Sequence, residues 1–230
     1  MVKDKKLALI TRPLHDALKM EGNLAQIGIE SFIEPFLSIS HYQNASKIIR
    51  PYLSSCQAIV ATSANAIRAV GYVKKPIITV GKNSAQVAKE MGFEEISHSE
   101  GNVTALEKYI ENYYSSKKGG LLYISGDNIS KDFAPSGFKT MRVVVYNALP
   151  VQKISTKCKN YFELKEFDYV FFFSKRTAQV FADLTSDFDF SETVCCCISQ
   201  QITEPLIDLG FKEIIIMKKF DSESLLELVK

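Results

Sequence analysis

The sequence predicts an α/β protein with two parallel-sheet domains, one inserted in the other. Three observations carry this. The first is the stretch Ala58–Gly81, AIVATSANAIRAVGYVKKPIITVG, which reads as strand, polar turn, helix, strand and glycine turn. The second is its return: Tyr169–Phe173 stops at Ser174, a helical segment follows, and Val194–Ile198 stops at Ser199. Each copy then continues through a short helix to a Gly-Phe pair, Gly92-Phe93 and Gly210-Phe211, which points to two related domains and not to a solenoid. The third is that the strands are short, apolar throughout and rich in Ile and Val, as parallel strands buried on both faces are.

In chain order, Lys6–Ile10 reads as the first strand and Thr11-Arg12-Pro13 as its exit. Pro13 suits the first position of a helix over Leu14–Gln26, with Leu14, Ala17, Leu18, Glu21 and Leu24 as its stripe and Gly28 closing it. Ile29–Ile39 is extended, and Pro35 places it at a sheet edge or leading out of the sheet. Ser40–Asn44 reads as a connector and Ala45–Leu53 as a short helix interrupted at Pro51. After Ala58–Gly81 come a helix at Ser84–Met91, a strand at Glu94–Ser97, and a helix to Tyr114 capped by Asn102 or Thr104. Lys117–Gly120 is a turn, Leu121–Ser125 a strand ending at Gly126-Asp127-Asn128, and a weak helix breaks near Pro135-Ser136-Gly137. Met141–Tyr146 is a strong strand that Ala148-Leu149-Pro150 leaves. A second connector leads to a helix at Ser155–Glu166 and then the second copy of the motif. Lys212–Met217 is the last strand and Ser222–Val229 the last helix, capped by Asp221 or Ser222.

This order predicts a discontinuous first domain, residues 1–37 and 153–230, and an inserted second domain, 41–147. The linkers are 38–40 and 148–152, crossing side by side as a hinge with a cleft between the domains. Ligands of parallel α/β units sit at the carboxyl ends of the strands, where Ser63, Asn65, Gly81 and Ser84 fall.

Bulk properties narrow the function. The chain has 230 residues, 46% hydrophobic and 23% charged, and can bury a core without disulfides. A net charge of +2 with scattered Lys and Arg gives no nucleic-acid footprint. No segment approaches the length of a membrane span. The charged start, MVKDKK, is followed by an apolar run of only Leu7–Ile10, too short for an export signal, so the chain reads as cytoplasmic. The five cysteines, Cys56, Cys158 and Cys195–Cys197, fit reduced buried thiols. Successive residues of a strand point to opposite faces, so the triplet makes a poor metal site. His15, His41 and His98 have no partner at metal-ligand spacing.

Thr11-Arg12-Pro13, ATSANAI over residues 61–67, VGKNSAQVAKEMG over 80–92, YISG over 123–126, VVVYNA over 143–148, FFFSKRTAQVF over 171–181 and CCCIS over 195–199 occur in one order along nearly the whole chain. In that order and spacing the sequence resembles the uroporphyrinogen-III synthase family. The resemblance implies two flavodoxin-like, three-layer α/β domains joined by a two-stranded linker, with the active site in the interdomain cleft. It implies a lyase of haem biosynthesis that cyclises hydroxymethylbilane, a linear tetrapyrrole, to uroporphyrinogen III, losing water and inverting the last pyrrole ring, ring D. No cofactor and no metal are implied. The expected partner is that small molecule, with neither nucleic acid nor membrane; the chain is expected to be a monomer, and a transient contact with hydroxymethylbilane synthase is left open. Three departures stand out: Ser199-Gln200-Gln201-Ile202 replaces the family's frequent Gly-Pro-Thr-Thr, Lys131 stands where arginine is common, and Ser84 replaces a threonine.

Such a substrate carries carboxylates on every ring. Turns that open helices offer free N–H groups to anions. The candidate substrate-binding residues are Thr11, Arg12, Ser63, Ala64, Asn65, Lys82, Ser84, Gly126, Ser174, Lys175, Ser199, Gln200 and Gln201. Arg12, Lys82 and Lys175 add charged hydrogen bonds. Because the free substrate also closes without inversion, the main task is orientation. Tyr146 is the candidate catalytic residue, a phenol at a strand end that would hydrogen-bond the departing hydroxyl. Helix capping also accounts for Ser63 and Ser174, and neither sits in a Gly-x-Ser-x-Gly elbow. The same fold suits a non-enzymatic two-domain protein hinged over a small ligand. A regulatory α/β module finds no phosphate loop, acidic triad or DNA-reading helix pair.

Overall fold

A computed structural model describes residues 5–217 and 220–229. The charged start ahead of residue 5 and the side chain of Ser222, one of two caps expected for the last helix, lie outside the described residues. The chain divides into two compact units. Unit 1 comprises the residues up to Ser38 and those from Leu149 onward, and unit 2 is Ile39–Ala148.

Unit 1 holds β1 (Leu7–Ile10), α1 (Leu14–Gln26), β2 (Glu30–Ile33), and after the insertion α6 (Thr156–Glu163), β9 (Tyr169–Phe172), α7 (Lys175–Thr185), β10 (Val194–Cys197), α8 (Gln200–Thr203), β11 (Glu213–Ile216) and α9 (Ser222–Leu225). Unit 2 holds β3 (Leu37–His41), α2 (Ala45–Ile49), β4 (Cys56–Ala61), α3 (Ala64–Val70), β5 (Ile77–Val80), α4 (Gly81–Glu90), β6 (Ile96–Ser99), α5 (Val103–Tyr113), β7 (Gly120–Gly126) and β8 (Thr140–Pro150). Both β3 and β8 run across the boundary between units, and Val151 N–H donates to Phe36 O beside them.

Each sheet is buried on both faces, and alternation along the strands decides which residue goes where. In unit 1, Leu9, Val170, Phe172, Cys195 and Cys197 join α6 and α7 in one layer. Ala8, Ile10, Phe171 and Cys196 face α1 and α9 in the other. In unit 2, Ile59, Ala61, Leu122 and Ile124 face α2, α3 and α4, while Ala58, Val60, Leu121 and Tyr123 face α5. Helix α1 buries Ala17, Met20 and Leu24, whereas Leu14 and Leu18 are exposed. The buried stripe is thus turned off the expected one, because Met20 takes the place on the sheet given above to Leu14 and Leu18.

The sheet orders are β11-β10-β9-β1-β2 and β3-β8-β7-β4-β5-β6. The pairings β2-β1-β9-β10-β11 and β8-β7-β4-β5-β6 are all parallel. By order of appearance within each unit these are 2-1-3-4-5 and, with β3 set aside, 5-4-1-2-3. The two are one spatial arrangement with the chain circularly permuted. The repeated phrase makes β9-β10-β11 in one unit and β4-β5-β6 in the other, each closing through a Gly-Phe pair whose glycine has positive φ, Gly210 at 70° and Gly92 at 93°. The remaining pair, β1-β2 or β7-β8, comes before the phrase in unit 1 and after it in unit 2.

Local differences from the sequence reading have physical causes. Pro13 is the N-cap of α1 and not its first residue, its ψ of 142° being extended. Residues 40–41 lie in β3 and not in a connector, since Tyr42 N–H pairs with Val145 O at the edge of β8. Helix α4 begins at Gly81, ahead of Ser84. Residues 127–139 form no helix: their backbone is held by carboxylates of α5, with Ala134 N–H donating to Glu107 and Ser136 N–H to Glu111. Strand β8 does not stop at Tyr146 but continues to Pro150.

Candidate active site

In an open parallel sheet, ligands sit at the carboxyl ends of the strands where chain order reverses. In unit 2 that point lies between β4 and β7. Strand β4 exits into Thr62-Ser63, and Ser63 caps α3 by accepting the Asn65 N–H at 3.2 Å. On the other side β7 ends at Gly126, paired with Tyr146 of β8. The register slips there: Ser125 pairs with Val144 and Gly126 with Tyr146, so Val145 is an extra residue. A one-residue bulge reverses the side-chain alternation. Val145 and Tyr146 consequently both pack in the layer that holds α3. The Tyr146 phenol reaches Ser63 and donates to its Oγ at 3.1 Å.

Gly126 makes this crossing possible. A Cβ on Gly126 would stand 2.7 Å from Tyr146 Cζ and 2.9 Å from its hydroxyl oxygen, closer than real side chains come. Its loop is clamped by Arg142, which donates to Ser125 Oγ at 2.9 Å, Gly126 O at 2.9 Å and Asp127 O at 3.0 Å. Asp127 in turn accepts from Ala148 N–H at 3.1 Å. The His41 ring stands edge-on to Tyr146 at 6.4 Å. Burial first, and then the Arg68 charge, hold the His41 pKa below its ordinary value. Arg68 also donates to Asn65 Oδ1 at 3.1 Å, and Thr62 shares a hydrogen bond with the buried Tyr123 hydroxyl at 3.0 Å.

The other candidates of unit 2 are spread along the same rim. Ala64 and Ser84 are buried at the starts of α3 and α4. Lys82 is exposed, 3.8 Å from Glu100. Lys131 is a strut: its ammonium donates to Glu107 at 2.6 Å and Thr104 at 2.9 Å.

Unit 1 uses its rim differently. The switch point lies between β1 and β9. Thr11 is fully buried and donates its hydroxyl to Phe171 O at 2.6 Å, which staples β1 to β9. Arg12 lies over the Phe173 ring at 4.2 Å, with Asp16 3.5 Å away. Ser174 caps α7 by accepting from Thr177 N–H and shares a second bond with the Thr177 hydroxyl at 2.8 Å. Lys175 is ion-paired with Glu204. Ser199, Gln200 and Gln201 are exposed at the start of α8, whereas Ile202 packs in the core. A hydroxyl at position 202 would be buried there, so Ile202 keeps the local core apolar.

Of the sequence candidates, then, Ser63, Asn65, Gly126 and Tyr146 come together. Thr11, Arg12, Ser174 and Lys175 share the rim of unit 1, and Ser199–Gln201 sit at the end of β10. His41, which the sequence only sets aside as a metal ligand, joins this group, as do Arg68 and Arg142, which are not among the sequence candidates; of these two only Arg68 leaves a trace, being three residues after Asn65 on one helix face. Among the described residues no group of three His, Cys, Asp or Glu is placed to hold a metal ion. The five cysteines are buried and unpaired by disulfides. Burial raises the Cys56, Cys158 and Cys196 thiols, and a hydrogen bond with Cys197 leads the rise at Cys195.

A family model described as Uroporphyrinogen-III synthase HemD matches residues 19–227. The chain belongs to the uroporphyrinogen-III synthase family. The resemblance read from the motif order is thereby confirmed, and with it a lyase of haem biosynthesis. Solved structures of uroporphyrinogen III synthase from the extremely thermophilic bacterium Thermus thermophilus are similar. A mutant form matches with TM-score 0.55 and 12% identity over 97% of each chain. The wild type in a second crystal form gives 0.44 and 12%, over 97% of this chain and 100% of that one. At that identity the first likeness speaks for the fold. No curated protein sequence matches. Among the described residues no helix is long and apolar enough to cross a membrane.

Proposed function

We propose that this synthase performs its chemistry at the switch point of unit 2, with Tyr146 as the source of the proton that leaves with the hydroxyl of hydroxymethylbilane. The observation that carries this reading is the phenol itself: a bulge in β8, a glycine opposite it and a hydrogen bond to Ser63 fix one tyrosine at the strand ends. Loss of the hydroxyl leaves an electron-poor azafulvene on the first ring. Attack through the substituted carbon of ring D gives a spiro intermediate, which fragments and recloses with the ring inverted. A held phenol lowers the barrier to the first step, and orientation does the rest.

We assign binding of the substrate carboxylates to the rims of the two units. Asn65 and Lys82 belong to one rim and Arg12, Lys175, Ser199, Gln200 and Gln201 to the other. The protein acts alone as a cytoplasmic monomer in this proposal.

The test is incubation with freshly made hydroxymethylbilane and separation of the ring isomers. Formation of uroporphyrinogen III is expected. Only the uninverted product of spontaneous closure would leave a ligand-binding protein and refute the reading. Tyr146→Phe should lower kcat by ~100-fold while product binding holds. Unchanged kinetics would remove Tyr146 from the mechanism.

A further inference from the structure

We infer that Ser63 is the catalytic residue that hands the proton to the departing hydroxyl, and that Tyr146 resupplies it. The inference rests on the synthase reading above. A serine oxygen offers two acceptor sites and one hydrogen. Both acceptor sites of Ser63 are filled, by the Asn65 N–H at 3.2 Å and by the Tyr146 phenol at 3.1 Å. No acceptor for the hydrogen of Ser63 itself occurs among the described residues. That hydrogen has to point away from both donors. Tyr146 as a residue is 7% exposed and Ser63 is half-buried, so in this inference a ligand at the carboxyl end of β4 meets the serine hydrogen first.

The counterpart in unit 1 shows that this is not a general property of cap serines. Ser174 also accepts from the backbone two or three residues on, but its second bond goes to Thr177 of the same helical turn. No phenol feeds it among the described residues. Ser63 is fed from a strand 83 residues away.

The step balances as a two-proton relay. The bond between the hydroxymethyl carbon and its oxygen breaks, and the electron pair leaves on oxygen. That oxygen takes the Ser63 hydrogen and departs as water. Ser63 Oγ takes the phenol hydrogen along the existing bond. The phenolate charge then stands against the cation spread over the pyrrole that lost the hydroxyl. When the macrocycle closes, the unsubstituted carbon of ring D gives up its hydrogen as a proton, which returns through Ser63 to Tyr146. Nothing is oxidised or reduced.

The experiment measures single-turnover rate and isomer ratio with hydroxymethylbilane for the wild type, Ser63→Ala, Ser63→Thr, Tyr146→Phe and the double variant. Thermal unfolding and product binding are measured on each. The relay predicts that Ser63→Ala and Tyr146→Phe each lose ~100-fold in rate. The double variant should lose no more than either, since both break one chain, and Ser63→Thr should restore most of the rate. In mixtures of light and heavy water the wild-type rate should curve as two protons in flight require. Folded Ser63→Ala with a near wild-type rate beside a slow Tyr146→Phe would overturn the relay and make the phenol the direct donor. So would losses that multiply in the double variant. Should Ser63→Ala fail to fold, a linear solvent-isotope dependence of the wild type would overturn the relay. A wild type that leaves the isomer ratio at that of spontaneous closure would overturn the synthase reading and the relay together, which separates the two failures.

Discussion

The two units are one spatial arrangement of strands, yet their rims have different fates. In unit 1 the hydroxyls at the switch point are consumed by the fold. Thr11 staples two strands, and Ser174 is shared between a helix cap and Thr177. The corresponding edge strand, β2, is followed by Glu34, whose carboxylate accepts from Ser155 N–H and Oγ at the start of α6. In unit 2 the corresponding strand, β8, is flanked by β3 and instead carries a bulge that delivers a phenol to the cap serine. The same topology thus provides an anchored rim once and a chemically loaded rim once. What separates them is one extra residue in β8 and the lack of a side chain at position 126.

That contrast breaks most severely at Gly126. In Gly126→Ala the new methyl must displace the Tyr146 ring, since nearby atoms of Tyr146 leave no room for it. Overpacking of this kind destabilises by about 1–3 kcal/mol. The rate should fall about as far as in Tyr146→Phe, ~100-fold, because the phenol loses Ser63. Denaturant melts and single-turnover rates check both parts. A variant with full activity would show that the crossing of Tyr146 over Gly126 is incidental.

A second comparison sharpens the contrast with a matched pair. Ser63→Ala and Ser174→Ala each remove a helix cap, at α3 and α7. Each should cost about 0.5–2 kcal/mol of stability. Only Ser63→Ala should lower the rate by orders of magnitude. Equal kinetic losses would mean that the two rims are chemically alike, and the asymmetry argued above would fail.

Much of this was legible in the sequence, for reasons that also explain the gaps. Helix α1 came out at Leu14–Gln26 because Pro13 and Gly28 bracket it. The caps Ser63, Asn102 and Ser174 could be read because a polar residue follows an apolar run or turn and precedes a helical one, whereas Ser155, read as the first residue of its helix, is its N-cap. The bulge in β8 could not. Val143, Val144 and Val145 are apolar on either face, so the pattern carries no mark of where alternation slips. Nor could the pairing of Tyr146 with Ser63, which depends on β8 and β4 flanking β7 in space. The segment after Asn128 reads as a weak helix because its anchors, Glu107 and Glu111, lie on α5, where they look like an ordinary solvated face.

Those anchors give the smallest effect and a pH dependence. The loop after β7 belongs to unit 2 alone, since in unit 1 the chain passes from β1 through Pro13 straight into α1. Burial works against the Glu107 charge, but hydrogen bonds from Ala134 N–H and Lys131, with the Lys131 charge, more than offset it. Its carboxyl is therefore held below the ordinary range. A carboxylate with a depressed folded-state pKa adds stability above its unfolded pKa, about 4.3. That stability fades as pH falls through the lower folded value. Acidification below about pH 4.3 should therefore release this loop before the two cores. Glu107→Gln should mimic the release at neutral pH, at a cost of about 1 kcal/mol. Hydrogen exchange locates it: the Ala134 amide should lose protection in Glu107→Gln, while Ser136, held by Glu111, keeps more of its own. Equal loss at both amides would mean that the loop opens as one piece. Loss at neither would mean that Arg142, which clamps the Gly126 end, holds it unaided.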